Sequence, residues 1–310
     1  MLPGNISILI QVLGPTGVGK SKIAVGLARE IQGEIISADS MQVYRNFDIG
    51  TDKIKTGDMK NIPHYLIDIL DDCSQFNASI FLEKSFKISQ EIVNRGHIPI
   101  VCGGTALYLK TMIKGIFPEE KQKKITREEL KEIVKREGPL SLWNKLNEVD
   151  PQYAAKVGKN DAVRIVRAME IYYNNGLPPT EVFKKTRTPF AGYRFLRIGL
   201  NVDRKKLYKR IEERVDHMIE RGLVEEVKKL RALYPPHCPP FKSLGYKEIG
   251  MYLDGEVDLD TAVSLIKQHS RNFAKRQLSW FRQETDIKWF DPLNAVEIEA
   301  YVRGELWKKR

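Results

Sequence analysis

Eight residues near the start of the chain, GPTGVGKS at positions 14–21, have the spacing G-x-x-x-x-G-K-[ST] of a phosphate-binding loop. The glycines allow a tight turn in which backbone N–H groups face a phosphate chain, and the N-terminus of the next helix adds partial positive charge. Lys20 adds a full positive charge, and the Ser21 hydroxyl can act as a ligand for Mg²⁺. The pattern predicts that a di- or triphosphate contacts Gly14, Pro15, Thr16, Gly17, Val18, Gly19, Lys20 and Ser21.

Two other polar residues follow predicted strands: Asp39 follows strand 34–37, and Thr105 follows strand 98–102 and a Gly-Gly pair. Ligands of open α/β sheets bind beyond the carboxyl ends of the strands, so both residues are expected near the phosphate loop. Asp39 can hold Mg²⁺ through water or accept a proton from a nucleophile, but a turn-capping carboxylate fits the position equally well. Thr105 can donate to a phosphate or simply cap the following helix.

Alternating strands and helices must position these residues. In the first 117 residues, apolar runs predict strands at 6–13, 34–37, 65–70 and 98–102. Helical spacing predicts helices at 20–31, 81–93 and 107–113. This alternation is typical of a mostly parallel sheet covered by helices on both faces, the architecture of P-loop NTPases.

The middle of the chain has a different pattern. Residues 118–190 contain predicted helices at 126–137, 140–147 and 161–173 and a loop at 176–189. Strands return at 196–202 and 287–290, with helices at 204–221, 222–233, 245–253, 259–284 and 296–306. We therefore expect an α/β domain of residues 1–117 and 191–310, interrupted by a helical insertion domain, residues 118–190.

The composition is that of a globular protein, and its charge is unevenly distributed. With 42% hydrophobic and 29% charged residues in 310, disorder and fibrous structure are excluded. The formal net charge is +11, of which +1 falls in residues 1–117, +4 in 118–190 and +6 in 191–310. A neutral first third followed by a basic remainder favours a small-molecule site beside a polyanion-binding surface, although a generally lysine-rich proteome would give the same excess.

The cysteine content and the length of the apolar runs indicate in which cellular compartment the protein is expected. Cys73, Cys102 and Cys238 are far apart, which argues against a disulfide framework and against a cysteine-based zinc site. The apolar run at 6–13 is too short to span a membrane, and we find no secretion signal. The expected location is a reducing cytoplasm.

Six segments together resemble the bacterial tRNA dimethylallyltransferases, also called tRNA isopentenyltransferases, of the IPP transferase family. They are GPTGVGKS at 14–21, DSMQVYRNFDIGTDK at 39–53, GGTALY at 103–108, NDAVRIVRAME at 160–170, LGYKE at 244–248 and FAKRQLSWFR at 273–282. The first occurs in many phosphate-binding proteins, whereas those at 39–53 and 273–282 are far more specific. The resemblance covers nearly the whole chain.

The resemblance implies transfer of a dimethylallyl group from dimethylallyl diphosphate to the exocyclic N6 amine of the adenosine immediately 3′ of the anticodon in tRNA, with release of diphosphate. It implies that Asp39 is the general base for the amine. The leaving diphosphate would be neutralised by Lys20, Ser21 and Mg²⁺, aided by Thr105 and Arg214. The implied partner is the tRNA anticodon stem-loop, with no membrane, no obligate protein partner and a monomeric enzyme.

The family's tRNA contacts fall on four segments and two single positions. They are Asp39, Ser40, Met41 and Gln42; Val163, Arg164, Ile165, Val166 and Arg167; Lys242, Ser243, Leu244, Gly245, Tyr246 and Lys247; Lys275, Arg276, Gln277, Leu278, Ser279, Trp280, Phe281 and Arg282; and Thr105 and Arg127. Considered without the resemblance, the basic residues at 271–282 are more typical of a solvated helix face above an aromatic core face than of an RNA-binding surface.

This sequence departs from its relatives at three of these motif positions. Asn46 replaces a usual glycine, Val163 a frequent glutamine and Ser279 a frequent threonine, and none of the three is a proposed catalytic residue.

Three other functions are compatible with parts of the sequence. A P-loop nucleoside or nucleotide kinase would share the phosphate loop and use Asp39 as a base. An isopentenyltransferase acting on free adenine nucleotide would not need the basic surface. A non-catalytic RNA-binding protein would leave Lys20, Ser21 and Asp39 without a purpose.

Overall fold

The computed structural model describes residues 7–71, 73–117 and 124–308. The chain divides into two compact units, an α/β unit of Met1–Ile113 and Pro189–Arg310 and a helical unit of Lys114–Thr188. These limits differ by four residues or fewer from the sequence-predicted limits, 118 and 190.

The α/β unit contains a sheet of six parallel strands in the order β3-β2-β4-β1-β5-β6. The strands are β1 (Ser7–Leu13), β2 (Gly33–Ser37), β3 (His64–Tyr65), β4 (Ile98–Gly103), β5 (Tyr193–Leu200) and β6 (Lys288–Phe290). The predicted fold class, a P-loop NTPase-like parallel sheet flanked by helices, is confirmed. Because β4 lies between β1 and β2, the carboxyl ends of three functionally important strands are adjacent.

The helices of both units follow the predicted pattern. In chain order they are α1 (Lys20–Ile31), α2 (Ala78–Asn94), α3 (Ala106–Lys114), α4 (Arg127–Glu137), α5 (Pro139–Val149), α6 (Pro151–Ala154), α7 (Ala162–Asn175), α8 (Pro179–Lys184), α9 (Arg204–Glu220), α10 (Leu223–Leu233), α11 (Tyr246–Leu253), α12 (Leu259–Phe281) and α13 (Ala295–Trp307). Within the described part of the chain, no helix combines the length and the apolar character that crossing a bilayer requires.

Each unit has its own hydrophobic core. In the α/β unit, Ile10, Ile100 and Ile198 from three neighbouring strands are fully buried beneath α1. In the helical unit, Leu142 and Leu146 lie one turn apart on α5 and are fully buried. Burying a side chain of this size contributes about 1.5–3 kcal/mol to the free energy of folding, so each core stabilises the strands and helices of its own unit.

Two local predictions are wrong. The strand predicted at 65–70 ends at Tyr65, because Leu66 and Asp68 have left-handed φ angles of 62° and 54° that curl the chain away from the sheet. The curled segment is held instead by the backbone of Val43, whose carbonyl accepts the N–H groups of Ile69 and Leu70, both at 2.9 Å.

The loop predicted at 176–189 contains α8. Pro179 occupies its first turn, where the missing N–H costs nothing. The Asp150 carboxylate accepts the Thr180 N–H at 2.7 Å and its hydroxyl at 2.9 Å, which satisfies the start of this short helix.

The expectation that no cysteines pair is also wrong. Cys73 and Cys238 form a disulfide across 165 residues of sequence, with Cα atoms 4.7 Å apart. Their separation in sequence hid the pair, since the fold brings together the loop after β3 and the proline-rich segment before α11. Cys102 is a buried free thiol.

Breaking this disulfide should destabilise the α/β unit. The Cys73→Ala variant is expected to lose about 3 kcal/mol of unfolding free energy, because the crosslink closes a long loop in the unfolded chain. Denaturant unfolding with and without reductant measures this, and the variant should be insensitive to reductant. Three titratable thiols in the denatured wild-type protein, rather than one, would contradict the pairing.

Candidate active site

The carboxyl ends of β1, β4 and β2 open into one cleft of about 860 Å³ within the α/β unit. The phosphate loop follows β1, Thr105 follows β4 and Asp39 follows β2. Helices α9 and α12 add Arg214 and Arg276 to the lining. The cleft therefore brings together residues that are far apart in the sequence. Its volume is within the range that is usual for a small-molecule binding site.

The phosphate loop is held in a shape that requires glycine. Gly14 has φ +151°, and a Cβ there would lie 2.6 Å from the carbonyl oxygen of Leu200. Lys20 Nζ donates to the Pro15 carbonyl at 2.8 Å, which keeps the ammonium over the loop. The loop leads directly into α1, so its N–H groups and the helix dipole favour an anion at the same place.

A single side chain from α12 joins the phosphate loop to the end of β4. Gln277 Oε1 accepts the Thr16 N–H at 2.9 Å, and Gln277 Nε2 donates to the Gly104 carbonyl at 2.9 Å. The side chain is buried. Sequence analysis placed Gln277 among tRNA contacts, and the structure also uses both ends of its amide to organise the site.

Burial sets the ionisation of two groups in the cleft. It lowers the pKa of the Lys20 ammonium below the ordinary 10.5, although Asp39 and Asp52 partly counteract the shift. It raises the pKa of the Cys102 thiol to about 11, so this thiol stays protonated and is a poor nucleophile near neutral pH. The cleft therefore offers a cation and a carboxylate for chemistry, not a thiolate.

Asp39 caps a turn with one carboxylate oxygen and keeps the other oxygen free within the described part of the chain. Its Oδ1 accepts the backbone N–H groups of Met41 at 2.8 Å and Gln42 at 3.3 Å, which is turn capping. Among the described residues, Oδ2 has no hydrogen-bond partner and Asp39 lines the cleft. One oxygen fixes the side chain while the other remains able to accept a proton.

Arg214 approaches the phosphate loop from α9. Its Nη1 donates to the Thr16 hydroxyl at 2.7 Å and lies 3.3 Å from Asp52 Oδ2. Its Nε is buried and has no hydrogen-bond partner in the described part of the chain. An unpaired buried guanidinium nitrogen is costly, so the site is suited to an incoming anion.

The predicted tRNA-contact residues of the α/β unit differ in position: some line the cleft, some lie on the surface and some belong to the core. Those that line the cleft are Asp39, Ser40, Met41, Gln42, Thr105, Lys242, Ser243, Leu244, Lys247, Arg276 and Gln277. On α12, Lys275, Ser279 and Trp280 are exposed and Leu278 is half-buried, and Arg282, directly after the helix, is exposed. The side chains of Tyr246 and Phe281 belong to the core, which limits them to supporting the surface. Gly245 has φ +89° and starts α11.

In the helical unit, the predicted contacts surround one buried carboxylate. Arg127 Nη2 and Arg167 Nη1 both donate to Glu170 Oε2, at 2.9 and 2.8 Å. Burial alone would raise the pKa of Glu170, but the hydrogen bonds from Arg167 and Arg127 lower it. The two guanidinium groups are therefore pre-oriented on this unit.

The neighbouring positions of α7 divide by exposure. The side chains of Val163 and Arg164 are exposed, whereas Ile165 and Val166 are core residues of the helical unit. The last two can orient the helix but cannot offer their side chains to a partner.

Sequence reasoning missed several polar residues of the cleft, among them Asp52, Glu248 and His269. Asp52 contacts Arg214, and His269 Nδ1 lies 2.7 Å from the buried carboxylate of Glu248. Asp52 lies inside a segment that the sequence singled out, but no spacing rule connects it to a residue on α9. In the described ranges, no group of three or more histidine, cysteine or acidic side chains could hold a metal alone.

Comparisons with known proteins point to one family. The family model described as IPP transferase matches residues 42–284. A tRNA dimethylallyltransferase of Carboxydothermus hydrogenoformans is 43% identical over 284 residues, 91% of each chain. One of Bacillus mycoides is 41% identical over 302 residues, covering 96% of this chain and 95% of its own.

Two solved structures are similar over nearly all of this chain. The full-length tRNA isopentenylpyrophosphate transferase of Bacillus halodurans gives a TM-score of 0.72 at 39% identity and covers 98% of both chains. A eukaryotic dimethylallyltransferase acting on tRNA gives a TM-score of 0.78 at 30% identity, over 96% of this chain and 77% of that one.

The lowered pKa of Lys20 predicts a pH-dependent affinity for inorganic diphosphate. The protonated form binds, so affinity is full below the pKa of the free protein and falls as pH rises through it, starting below 10.5. Titration calorimetry across alkaline pH measures the decline. The Lys20→Arg variant, which keeps its charge over this range, should show a shallower decline. Identical profiles for the two proteins would remove Lys20 from the binding site.

Proposed function

Because this chain belongs to the IPP transferase family, we propose that its cleft transfers a dimethylallyl group from dimethylallyl diphosphate to the N6 amine of the adenosine immediately 3′ of the anticodon in tRNA. The observation that carries the assignment of roles is the adjacency of three strand ends, which brings the phosphate loop, Asp39 and Thr105 into one cleft. The reaction forms a bond between N6 and the terminal allylic carbon and breaks the bond from that carbon to the diphosphate oxygen. The diphosphate leaves with the electron pair.

The positive end of the cleft receives the leaving group. Lys20, the N–H groups at the start of α1 and Arg214 all face the place where negative charge develops. Fixed donors and charges that interact more strongly with the departing diphosphate than with the bound substrate lower the barrier. Thr105, at the end of β4, adds a hydroxyl to the same cleft.

The carboxylate of Asp39 takes the proton from the amine. Adenine N6 is a weak nucleophile, so the proton must leave as the new bond forms. The free Oδ2 is suited to this step because Oδ1 is already held by two backbone N–H groups. Ile35, Ile54 and Ile67 also line the cleft and offer apolar surface to the five-carbon group.

The residues of the cleft fit a magnesium ion that the family's chemistry calls for. Mg²⁺ is usually held by one or two protein oxygens together with phosphate oxygens and water. Ser21 lines the cleft and supplies an oxygen of this kind. When bound, the ion would supply further neutralisation of the diphosphate charge.

The tRNA reaches this cleft over basic residues of the same unit. Lys242, Lys247 and Arg276 line the cleft, and Lys275 lies exposed beside it on α12. Modification of a base in the anticodon loop requires that the base leave its stack. We assign the phosphate contacts of the loop to these cations, and further contacts to Arg127, Val163, Arg164 and Arg167 of the helical unit. We expect the enzyme to act as a monomer in the cytoplasm, where its tRNA substrate is found; cysteine usage no longer supports this location, because Cys73 and Cys238 are paired.

Replacing Asp39 by asparagine should stop transfer without loosening tRNA. Asparagine keeps an oxygen for the Met41 and Gln42 N–H groups but cannot take the proton, so kcat is expected to fall by at least about a hundredfold. Single-turnover transfer and filter binding of tRNA, measured side by side, check this. Near-normal transfer by the variant would exclude Asp39 as the base.

The charged face of α12 should control the salt dependence of tRNA binding. The Lys275→Ala, Arg276→Ala double variant is expected to lower the slope of log Kd against log salt by about 1.5, since each phosphate contact contributes roughly 0.7–0.9. Lys228 and Lys229 of α10 are exposed and outside the cleft lining, so their double alanine variant is the matched control. Equal slopes for both variants would show that the basic residues of α12 form an ordinary solvated helix face and do not contact tRNA phosphates.

A further inference from the structure

The loop of residues 47–53, here called the DIGT loop, forms part of the cleft wall without regular secondary structure. Gly50, Thr51 and Asp52 line the cleft. Asp52 has φ +50°, a conformation that side-chain-bearing residues rarely adopt. Contacts from outside the loop add to its internal hydrogen bonds, such as that from the Thr51 hydroxyl to the Phe47 carbonyl at 2.7 Å.

The carboxylate of Glu226 on α10 provides those contacts. It accepts three consecutive backbone N–H groups of the loop: Asp48 at 3.3 Å, Ile49 at 2.8 Å and Gly50 at 3.2 Å. Its Oε1 also accepts the hydroxyl of Tyr246 at 2.5 Å. Hydrogen bonds to a charged acceptor are about twice as strong as neutral ones, so Glu226 strongly restrains three consecutive residues of this backbone.

The aromatic ring of Tyr246 closes the other side of the loop. A Cβ on Gly50 would lie 2.3 Å from Tyr246 Cε2, so the backbone and the ring are in direct contact. The ring is buried and packs against Phe47 with centroids 5.3 Å apart. Burial raises the pKa of the Tyr246 hydroxyl, and Glu226 raises it further, so it remains a donor.

The loop held in this way supports Arg214, which is assigned to the reaction, and Gln42, which is predicted to contact tRNA. Asp52 Oδ2 lies 3.3 Å from Arg214 Nη1, the atom that also binds the Thr16 hydroxyl. The carbonyls of Thr51 and Asp52 accept Gln42 Nε2 at 3.2 and 3.4 Å. A displacement of the loop backbone would therefore move the guanidinium that faces the leaving diphosphate.

We propose that Glu226 is a positioning residue for the transfer reaction, acting through the DIGT loop and Asp52 on Arg214. It does not line the cleft. The inference rests on the proposed function, because it assigns Arg214 to the stabilisation of the leaving group. Since that charge develops only in the transition state, the effect of Glu226 belongs to kcat more than to KM.

The test compares Glu226→Gln with Glu225→Gln, a matched control that removes the same charge from an exposed neighbour on α10. Glu226→Gln should lower kcat at least tenfold and change the KM for dimethylallyl diphosphate less than threefold. Glu225→Gln should keep both within twofold of wild type. If the wild-type enzyme is active and the two variants have the same kcat and KM, the role of Glu226 is overturned and the proposed function is unaffected. If the wild-type enzyme itself is inactive, the proposed function is contradicted.

A double-mutant cycle separates positioning from a general loss of folded enzyme. In an Asp52→Ala background, Glu226→Gln should lower kcat less than threefold, because the link to Arg214 is already broken. A lower folded fraction would reduce kcat by the same factor in both backgrounds, and that result would overturn the proposal. If Glu226→Gln does not fold, Tyr246→Phe serves as the second variant, because it removes one hydrogen bond to Glu226 and keeps the aromatic ring against Gly50. This variant should lower kcat about threefold. An unchanged kcat would contradict the proposal.

Discussion

The amide of Gln277 is the interaction on which the site depends. It accepts the N–H of Thr16 in the phosphate loop and donates to the carbonyl of Gly104 at the end of β4, each at 2.9 Å. The same helix turn carries Lys275 and Arg276, which are exposed. The cations assigned to RNA and the loop assigned to diphosphate are therefore fixed to each other by one buried side chain, and the two substrates meet in a defined geometry.

Around Gln277, the cleft presents different groups to the two substrates. Positive groups from the phosphate loop, α1 and α9 face the diphosphate, and a carboxylate from the end of β2 faces the amine. Positioning and electrostatics account for such a reaction without a covalent enzyme intermediate. The raised pKa of Cys102, about 11, fits this view, because the one free thiol of the described residues is protonated rather than nucleophilic.

The sequence predicted the features that depend on neighbouring residues. The phosphate loop is eight consecutive residues opening a helix, and α1 is found at the predicted Lys20–Ile31. The family assignment was confirmed, since motifs such as that at 39–53 are long and specific. Features that depend on contacts between distant residues could not be predicted: the pairing of Cys73 with Cys238, the pairing of Arg214 with Asp52, and the grip of Glu226 on the DIGT loop. Local conformations without a composition signal, such as left-handed Leu66, were missed for a different reason, because a leucine rarely adopts them.

The most direct measurement is mass spectrometry of nucleosides from unmodified tRNA incubated with this protein, dimethylallyl diphosphate and Mg²⁺, beside a parallel reaction with free AMP. The account predicts an adenosine heavier by one five-carbon unit, formed from tRNA in the complete mixture and not from AMP. Unmodified tRNA after incubation with demonstrably folded protein, or prenylation of AMP instead, would contradict it.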